Sequence, residues 1–592
     1  MDKRWSLDNL YESLDSSKFL KDFEDYKKAV DSFCIWSNEN LNSNENIKDK
    51  LEIFINKSNE IYYYSMLLVY CYLLNAVDSE NYEAMKYIEK YQDISTDLVA
   101  AETAFINFVK GIDNLNEIIE SSAVLKEHEF YLNEVKSRAK YVLNQQEETA
   151  ISKMKNTGSN AWETLHDQIT SLLPVDFNGE KTTLPIIRNM AHDENADTRK
   201  AAYEAEIAAL KTIEIPAAAC LNAIKGEVIT EYKLRGYDSA LDMTLKNSRM
   251  ESMALKAMLE AIQEYLPELR KYYTQKAKNL GDESALKYYD ICAPIGKISM
   301  SLTYEQAADY IVSKFNEFSP EMGKFAKYAF DNSWLDVEPR AGKSDGAFCA
   351  GIESIKEIRI MSNFMEGSFD SMLTLAHELG HGYHSHCLKD ESYLNQSYTM
   401  PIAETASTFC ETIVCQSALK ELASDPLSKI AILENSILGA TQVIVDIFAR
   451  YSFETEVFEN RPNGSLSAGE FNNLMIEAHK KAYGPGLDEG TIHPYMWIVK
   501  GHYYGADCNF YNFPYAYGHL FSLGLYSRYL EEGEGFAAKY KALLSATGTN
   551  SLRDVGLMAD IDVNDINFWR SSLELIKKDI EEYIDLSNKL YK

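Results

Sequence analysis

Apolar residues recur at helical spacing along most of the chain. One such stretch, between residues 51 and 62, has on one helical face Leu51, Phe54, Ile55, Ser58, Ile61 and Tyr62. Similar i, i+3, i+4, i+7 patterns run through most of residues 16–155 and again through 198–280. No fixed-period repeat interrupts them, so the pattern predicts a mainly α-helical globular protein and does not favour a helical solenoid.

Clusters of turn-forming residues divide this helical pattern. Residues 156–160 form one cluster and residues 176–181 form another, which is followed by β-prone positions at 182–184. Residues 193–197 precede a long helical pattern that starts near Thr198. We place the main boundary there, which predicts an N-terminal helical lobe over residues 1–197 and a larger domain over residues 198–592.

The stretch from 335 to 363 has a different pattern. Glycines punctuate it at positions 342, 346 and 351, and residues 357–361 alternate as a short strand would. We therefore expect a small β-sheet inside a mostly helical protein. This sheet would lie immediately before the histidine-rich segment described below.

Composition narrows the classes of partner. The chain has 592 residues and a formal net charge of −31, which argues against a nucleic-acid backbone or an anionic membrane as the main partner. Its nine cysteines are odd in number and contain no CxxC pair, which indicates free thiols in a reducing compartment. Residues 1–8 contain no apolar signal-peptide core. We predict a cytoplasmic protein without an obligate protein partner.

The chemistry-bearing motif is an HExxH arrangement on a predicted helix from Asp370 to Leu388. His377 and His381 are four residues apart, so both imidazoles project from one side and can meet one ion. Glu378 lies beside the first histidine, where a carboxylate can take a proton from a metal-bound water. Gly380 is unfavourable in a helix selected only for stability, and close packing beside a metal site would explain it. The motif predicts one catalytic zinc ion per chain.

A catalytic zinc needs a third protein ligand. The HExxHxxGxxH pattern of metzincins fails here, because the last position is Cys387. Glu391 is one candidate, but Glu404 is the better one because Pro401 can open a helix with Glu404 in its first turn.

Two further residues share helical faces with the predicted ligands. Glu411 follows Glu404 by seven residues, and we expect it to accept a hydrogen bond from a ligand histidine; an ordinary surface carboxylate is the alternative. His384 follows His377 by seven residues. It is expected either to line the metal cavity or to be buried and hydrogen-bonded.

The same segments carry a family resemblance. The run LTLAHELGHGYH at 373–384, followed by AETASTF at 403–409, resembles the thimet oligopeptidase (M3) family of metallopeptidases, and within it the oligoendopeptidase F branch. The runs GAFCAGI at 346–352 and NFPYAYG at 512–518 extend the resemblance over nearly the whole chain. It implies a two-lobed helical metallopeptidase with the zinc on the floor of a deep substrate channel. It also implies cleavage of internal bonds in short oligopeptides.

The resemblance further implies that a histidine and tyrosines from 502–517 support the transition state. A tetrahedral intermediate carries an oxyanion that needs hydrogen-bond donors. We expect His502 and Tyr515 to act on it, and Tyr511 and Tyr517 to contact substrate. With 39 tyrosines in the chain, the alternative for any one of them is a core position.

The strand-like segment 347–352 is a second candidate for contacting substrate. Ala347 and Gly351 lie on it, and an exposed strand edge binds an extended peptide through backbone hydrogen bonds. A plain structural hairpin is the alternative.

Three other functions remain open at this point. HExxH does not distinguish an endopeptidase from a zinc carboxypeptidase of related helical fold. A catalytically silent peptide-binding protein would be expected to lose Glu378 or a ligand, and a purely structural scaffold would bind no stoichiometric zinc.

Overall fold

The computed structural model describes residues 1–282 and 284–591, and most of them are helical. The amphipathic stretch at 51–62 forms part of the helix Ile47–Tyr62, with the predicted apolar face buried as far as Ile61. The prediction of a mainly α protein with a small β region is confirmed.

A smaller lobe is built around its own hydrophobic cluster, which includes Phe19, Phe54 and Phe105. Its helices are α1 (Ser17–Asn40), α2 (Ile47–Tyr62), α3 (Ser65–Val77), α4 (Tyr82–Thr96), α5 (Leu98–Lys110), α6 (Leu115–Glu120), α7 (Ala123–Glu127) and α8 (Glu129–Arg138). Aromatic stacking ties these helices together, since the rings of Phe54 and Phe105 lie 3.5 Å apart between centroids.

The remaining elements form a larger lobe around a second hydrophobic cluster. They are α9 (Gln145–Lys155), α10 (Ser159–Ser171), β1 (Pro174–Phe177), β2 (Glu180–Thr183), α11 (Leu184–Asn189), α12 (Ala196–Lys211), α13 (Glu214–Arg235), α14 (Ala240–Asn247), α15 (Ser252–Asn279), α16 (Tyr304–Phe318), α17 (Pro320–Asp331), β3 (Leu335–Asp336), β4 (Phe348–Ile352), β5 (Glu357–Met361), α18 (Phe369–Leu388), α19 (Met400–Ala403), α20 (Thr405–Glu421), α21 (Pro426–Thr441), α22 (Ile447–Asn460), α23 (Ala468–Tyr483), α24 (Phe513–Glu532), α25 (Phe536–Ser545), α26 (Leu552–Leu557) and α27 (Ile566–Leu590). A π-helical turn, Gln442–Asp446, joins α21 to α22.

The two clusters divide the chain earlier than the predicted boundary at residue 197. Val175 and Ile187 are buried in the larger cluster. Arg235 on α13 also donates to both carboxylate oxygens of Glu148 on α9, at 2.6 and 2.9 Å. This ion pair holds α9 to the larger lobe, and the segment from β1 onward packs with that lobe through apolar side chains.

The expected small sheet is present, with strand order β3-β5-β4. β5 coincides with the predicted strand at 357–361, and β4 pairs with it antiparallel from Phe348↔Met361 to Ile352↔Glu357. β4 is an edge strand, so one side of its backbone has no partner strand among the described residues. Ile352 packs into the core of the smaller lobe, whereas Ile358 and Ile360 of β5 belong to the larger one.

Three contiguous cavities run between and within the lobes. The first has a volume of 470 Å³, the second 720 Å³ and the third 820 Å³. The first cavity shares the lining residues Gln396 and Tyr398 with the second, and it shares His377 and Glu404 with the third. Tyr131 of the smaller lobe lines the second cavity. Together these cavities form the channel that the two-lobed prediction requires.

One helical run in the described part of the chain, Pro426–Asn463, is long and apolar enough to cross a membrane. However, 61% of its most apolar window is buried inside the protein. The bent pair Ala196–Lys211 and Glu214–Arg235 would qualify only if it were counted as one span. The core helix of a soluble protein passes the same test, so this is weak evidence for a membrane segment.

Candidate metal centre and active site

Helix α18 carries the HExxH residues and begins with a side-chain cap. Ser368 accepts a hydrogen bond from the backbone N–H of Ser371 at 3.1 Å. Gly380 explains how the next helix can approach: a Cβ there would lie 2.5 Å from the carbonyl oxygen of Ala406 and 2.6 Å from Cα of Ser407. The absence of a side chain lets the backbones of α18 and α20 touch, which brings Glu404 to the histidines.

The histidines and Glu404 meet at a single point. Nε2 of His377 lies 3.2 Å from Nε2 of His381, and Oε2 of Glu404 lies 3.3 and 3.4 Å from these two nitrogens. Ligand atoms at the corners of a tetrahedron about 2.0–2.1 Å from a zinc ion are separated by about 3.3 Å. The three donors therefore fit a tetrahedral zinc ion with one open position.

Glu404 reaches this point through a break between two helices. It lies between α19 and α20 with φ −88° and ψ 4°, not inside the first turn of one helix opened by Pro401 as expected. Ser407 donates a hydrogen bond to its Oε2 at 2.8 Å. The break turns the carboxylate toward α18, whereas Glu391 is not part of the cluster.

Glu411 holds the other side of His377. Its Oε1 lies 2.9 Å from Nδ1 of His377, so the ring donates from Nδ1 and leaves Nε2 for the cluster. Burial lowers the pKa of His377, but hydrogen bonds to Glu404 and Glu411 outweigh it and raise the pKa to about 10, so a binding metal would displace a proton from Nε2. The same pairing holds the pKa of Glu404 well below its usual range, against the effect of burial.

Glu378 is buried beside the cluster and has a free oxygen. Its side chain is 5% exposed, and its Oε2 has no hydrogen-bond partner among the described residues. It lines the first cavity together with His377 and His381. Burial raises the pKa of this carboxyl above its ordinary value, which favours proton uptake.

His384 is buried and hydrogen-bonded, which is one of the two arrangements expected for it. It does not reach the ligand atoms; its Nε2 lies 2.8 Å from Oγ1 of Thr547, and its ring stacks on Tyr398 at 4.2 Å between centroids. Burial lowers its pKa to about 3, so it is neutral. The buried alternative applies, and His384 supports Tyr398, which lines the first two cavities.

Three residues of the predicted His/Tyr group come together. The ring of His502 lies 4.9 Å from that of Tyr511 and 6.1 Å from that of Tyr515, and the two tyrosine rings are 5.6 Å apart. Tyr515 lines the third cavity with His377 and Glu404. Helix α24 can approach Glu404 because a Cβ at Gly518 would lie 3.2 Å from Cβ of Glu404.

Tyr517 is not in this group, which corrects the expectation that it contacts substrate. It is completely buried, and its ring packs on Phe521 and Trp569 at 5.6 and 5.1 Å. Residues 515 and 517 are two apart on a helix and therefore point in different directions.

The edge strand β4 and the residue before it border the first cavity. Ala347 and Gly351 both line the first cavity with His377 and Glu378. The backbone of this strand thus borders the cavity that contains the metal cluster.

Some residues near the site carried no recognised signal in the sequence. His519 lines the third cavity one turn after Tyr515, and helical spacing from Tyr515 would have found it. Asp579 lines the same cavity from α27, and no local pattern connects it to the motif.

Comparisons with known proteins identify the family. The family model described as Peptidase family M3 matches residues 189–574, and the model described as Oligopeptidase F matches residues 111–173. The chain is 25% identical over 535 residues to an oligoendopeptidase F homolog of Lactococcus lactis subsp. lactis (strain IL1403), which is 88% of each chain. It is 23% identical to Oligopeptidase PepF of Bacillus subtilis (strain 168), covering 99% of this chain and 87% of the relative.

Solved structures share the fold. Oligoendopeptidase-F from Enterococcus faecium matches with a TM-score of 0.71 at 16% identity, covering 96% of this chain and 99% of that one. A protein from Chlamydophila abortus matches with a TM-score of 0.84 at 18% identity, covering 99% and 98% of the two chains.

Proposed function

This chain belongs to peptidase family M3 and is a metalloendopeptidase, as its resemblance predicts, and from that premise we propose that it binds one zinc ion per chain and cleaves internal bonds of short oligopeptides. The proposed ligands are His377, His381 and Glu404. The observation that carries the proposal is the mutual spacing of their donor atoms, 3.2 to 3.4 Å, which suits a tetrahedral zinc site.

Zinc bound there would act as a Lewis acid on the scissile carbonyl and would make an attacking water more acidic. The chain's own residues do the rest. Glu378 takes the proton of the attacking water at its unpartnered Oε2 and returns it to the departing amine. Its raised pKa matches that double task, because a carboxyl must first gain the proton and then release it.

The remaining predicted residues have supporting roles. His502 and Tyr515 donate hydrogen bonds to the oxyanion of the tetrahedral intermediate, and Tyr511 contacts substrate beside them. The backbone at Ala347 and Gly351 pairs with the extended peptide along the free edge of β4. Backbone pairing orients substrates of different sequence alike.

The substrate class follows from the shape of the site. The cluster lies where two clefts of 470 and 820 Å³ meet, and such a channel admits an extended peptide and excludes a folded protein. The net charge of −31 supports the prediction that nucleic acids and anionic membranes are not partners. The cytoplasmic location stays a prediction.

The proposal is tested with an internally quenched peptide of about ten residues, a length suited to a channel, blocked at both ends. We expect wild type to cut it internally, chelator to stop the reaction and zinc to restore it. Glu378→Gln should bind zinc with unchanged stoichiometry but lose about 10²- to 10⁴-fold in kcat/KM, the contribution of a general acid–base.

Two further variants separate the metal assignment from the rest. Glu404→Gln should lose stoichiometric zinc, whereas Glu391→Gln, matched in chemistry but outside the cluster, should keep it. If wild type binds zinc and cuts no peptide, the catalytic proposal is wrong. Cleavage only of peptides with a free C-terminus would identify a carboxypeptidase instead.

A further inference from the structure

The 820 Å³ cavity extends away from the metal cluster between helices. His377, Glu404 and Tyr515 line its inner end. Glu411 and Gln416 of helix α20 line it further out, and these two residues are separated by about 7.5 Å along the helix axis at 1.5 Å per residue.

Most of this cavity beyond the cluster is apolar. The lining side chains come from five helices and include Leu373, Cys415, Val443, Leu523, Leu530 and Ile576. Such walls suit a hydrocarbon chain.

Two carboxyls, Asp370 and Asp579, line the cavity away from the cluster, and Asp370 already accepts a hydrogen bond from Asn435 at 2.6 Å. Asp579 of α27 lines the cavity together with Gln416 of α20. Among the described residues, no cation forms an ion pair with it. Lys429 pairs with Glu582 instead, and Lys578, although it lines the cavity, is exposed and makes no ion pair with Asp579.

We propose that this cavity is a specificity pocket for a lysine or arginine side chain of the peptide, with Asp579 as the partner of its cationic group. The proposal deepens and rests on the proposed peptidase function. An extended lysine side chain reaches about 6 Å from Cα to Nζ, comparable with the length of α20 between Glu411 and Gln416. Its methylenes would pack on the apolar walls while its ammonium meets the carboxylate.

The state of the free carboxyl agrees with this role. Burial, together with the nearby charge of Glu582, raises the pKa of Asp579 to about 7. An entering cation would favour the ionised form and lower that pKa. The free pocket thus contains a carboxylate that lacks the partner a basic side chain supplies.

The test compares pairs of blocked, internally quenched peptides that carry lysine or norleucine at each position flanking the scissile bond. The ratio of the two kcat/KM values cancels the amount of active enzyme, so partial misfolding of a variant does not affect it. We expect wild type to prefer lysine at one position, and Asp579→Asn to reduce that preference about 30-fold, near the lower range for removing one partner of a buried charge pair.

Two more variants sharpen the assignment. Glu581→Gln removes a charge from the same helix at an exposed carboxyl that does not line the cavity, and it should keep the lysine preference. Asp579→Glu extends the carboxyl by one methylene and should shift the preference from lysine toward ornithine, which is one methylene shorter.

The outcomes separate this proposal from the one on which it rests. If wild type cleaves no peptide, the peptidase proposal fails and the pocket falls with it. If wild type cleaves peptides but favours lysine at no position, or if Asp579→Asn keeps the preference, the pocket is wrong and the peptidase proposal stands.

Discussion

Replacing Gly380 with alanine should separate the helix of the two histidines from the helix that follows Glu404. The new Cβ would lie 2.5 Å from the carbonyl oxygen of Ala406 and 2.6 Å from Cα of Ser407. Both are backbone atoms, so no side chain can rotate away. To reach an ordinary contact of 3.4 Å, α18 and α20 must part by about 0.9 Å locally.

This displacement has unequal effects on folding and on the metal. Alanine favours the helix by about 1 kcal/mol over glycine, while overpacking costs about 1–3 kcal/mol, so the metal-free protein should lose about 0–2 kcal/mol. Glu404 lies two residues before Ala406, and zinc sites tolerate only about 0.2 Å of error in ligand distance. We expect zinc affinity to fall about 10- to 100-fold, as for disturbed ligand support elsewhere.

The assay is competition for zinc against a chelator of known affinity, together with thermal unfolding of the metal-free protein. Gly439→Ala is the matched control, because Gly439 also lies in a helix but has nothing within 4 Å of its Cβ. It should gain stability without changing zinc affinity. If Gly380→Ala binds zinc as wild type does, close packing of the two helices is not what positions Glu404.

Three further predictions each concern a single substitution. Glu411→Ala should lower the affinity for zinc about 10- to 100-fold, because Nδ1 of His377 loses its hydrogen-bond acceptor. Chelator competition measures this affinity, and an unchanged value would contradict the prediction. Tyr515→Phe should lower kcat about 10²- to 10³-fold with little change in KM, whereas Tyr517→Phe, in the core, should leave kcat unchanged; equal effects would refute the distinction. Relative to wild type, Asp579→Asn should gain about 2 kcal/mol of stability as pH rises from 4 to 8. The wild-type carboxyl has a folded-state pKa of about 7, so it stabilises the fold below its unfolded pKa and loses that contribution as pH rises through 7. Denaturant unfolding of both proteins at the two pH values decides this.

The sequence predicts the inner part of the site well because helical spacing is rigid. Residues four apart on a helix must lie one turn apart, so HExxH predicts that His377 and His381 meet, and the structure has their Nε2 atoms 3.2 Å apart. The glycine at 380 was interpretable for the same reason, since it costs helix stability and needs a compensating contact.

The rest of the site depends on packing between distant segments. A seven-residue spacing places His384 on the face of His377 but does not say which neighbour that face meets, and here it meets Thr547. The helix break at Glu404 and the direction of Tyr517 depend in the same way on α24 and α27. Asp579 lies in a helix whose relation to α20 exists only in the folded chain.

The lobe boundary illustrates the same limit on a larger scale. Turn clusters near 158 and 178 were as clear as the one near 195, and local composition does not decide between them. The position of the boundary depends on where the apolar side chains pack, and Val175 and Ile187 pack in the larger cluster.

The edge strand β4 belongs to both hydrophobic cores at once. Ile352 is buried in the smaller lobe, while the strand's partner β5 is anchored in the larger one. The smaller lobe therefore cannot melt on its own without loosening a wall of the channel. During gradual denaturation, peptide cleavage should be lost together with the helices α1 to α8, although none of them carries a proposed catalytic group. The two lobes should therefore unfold in a single cooperative transition.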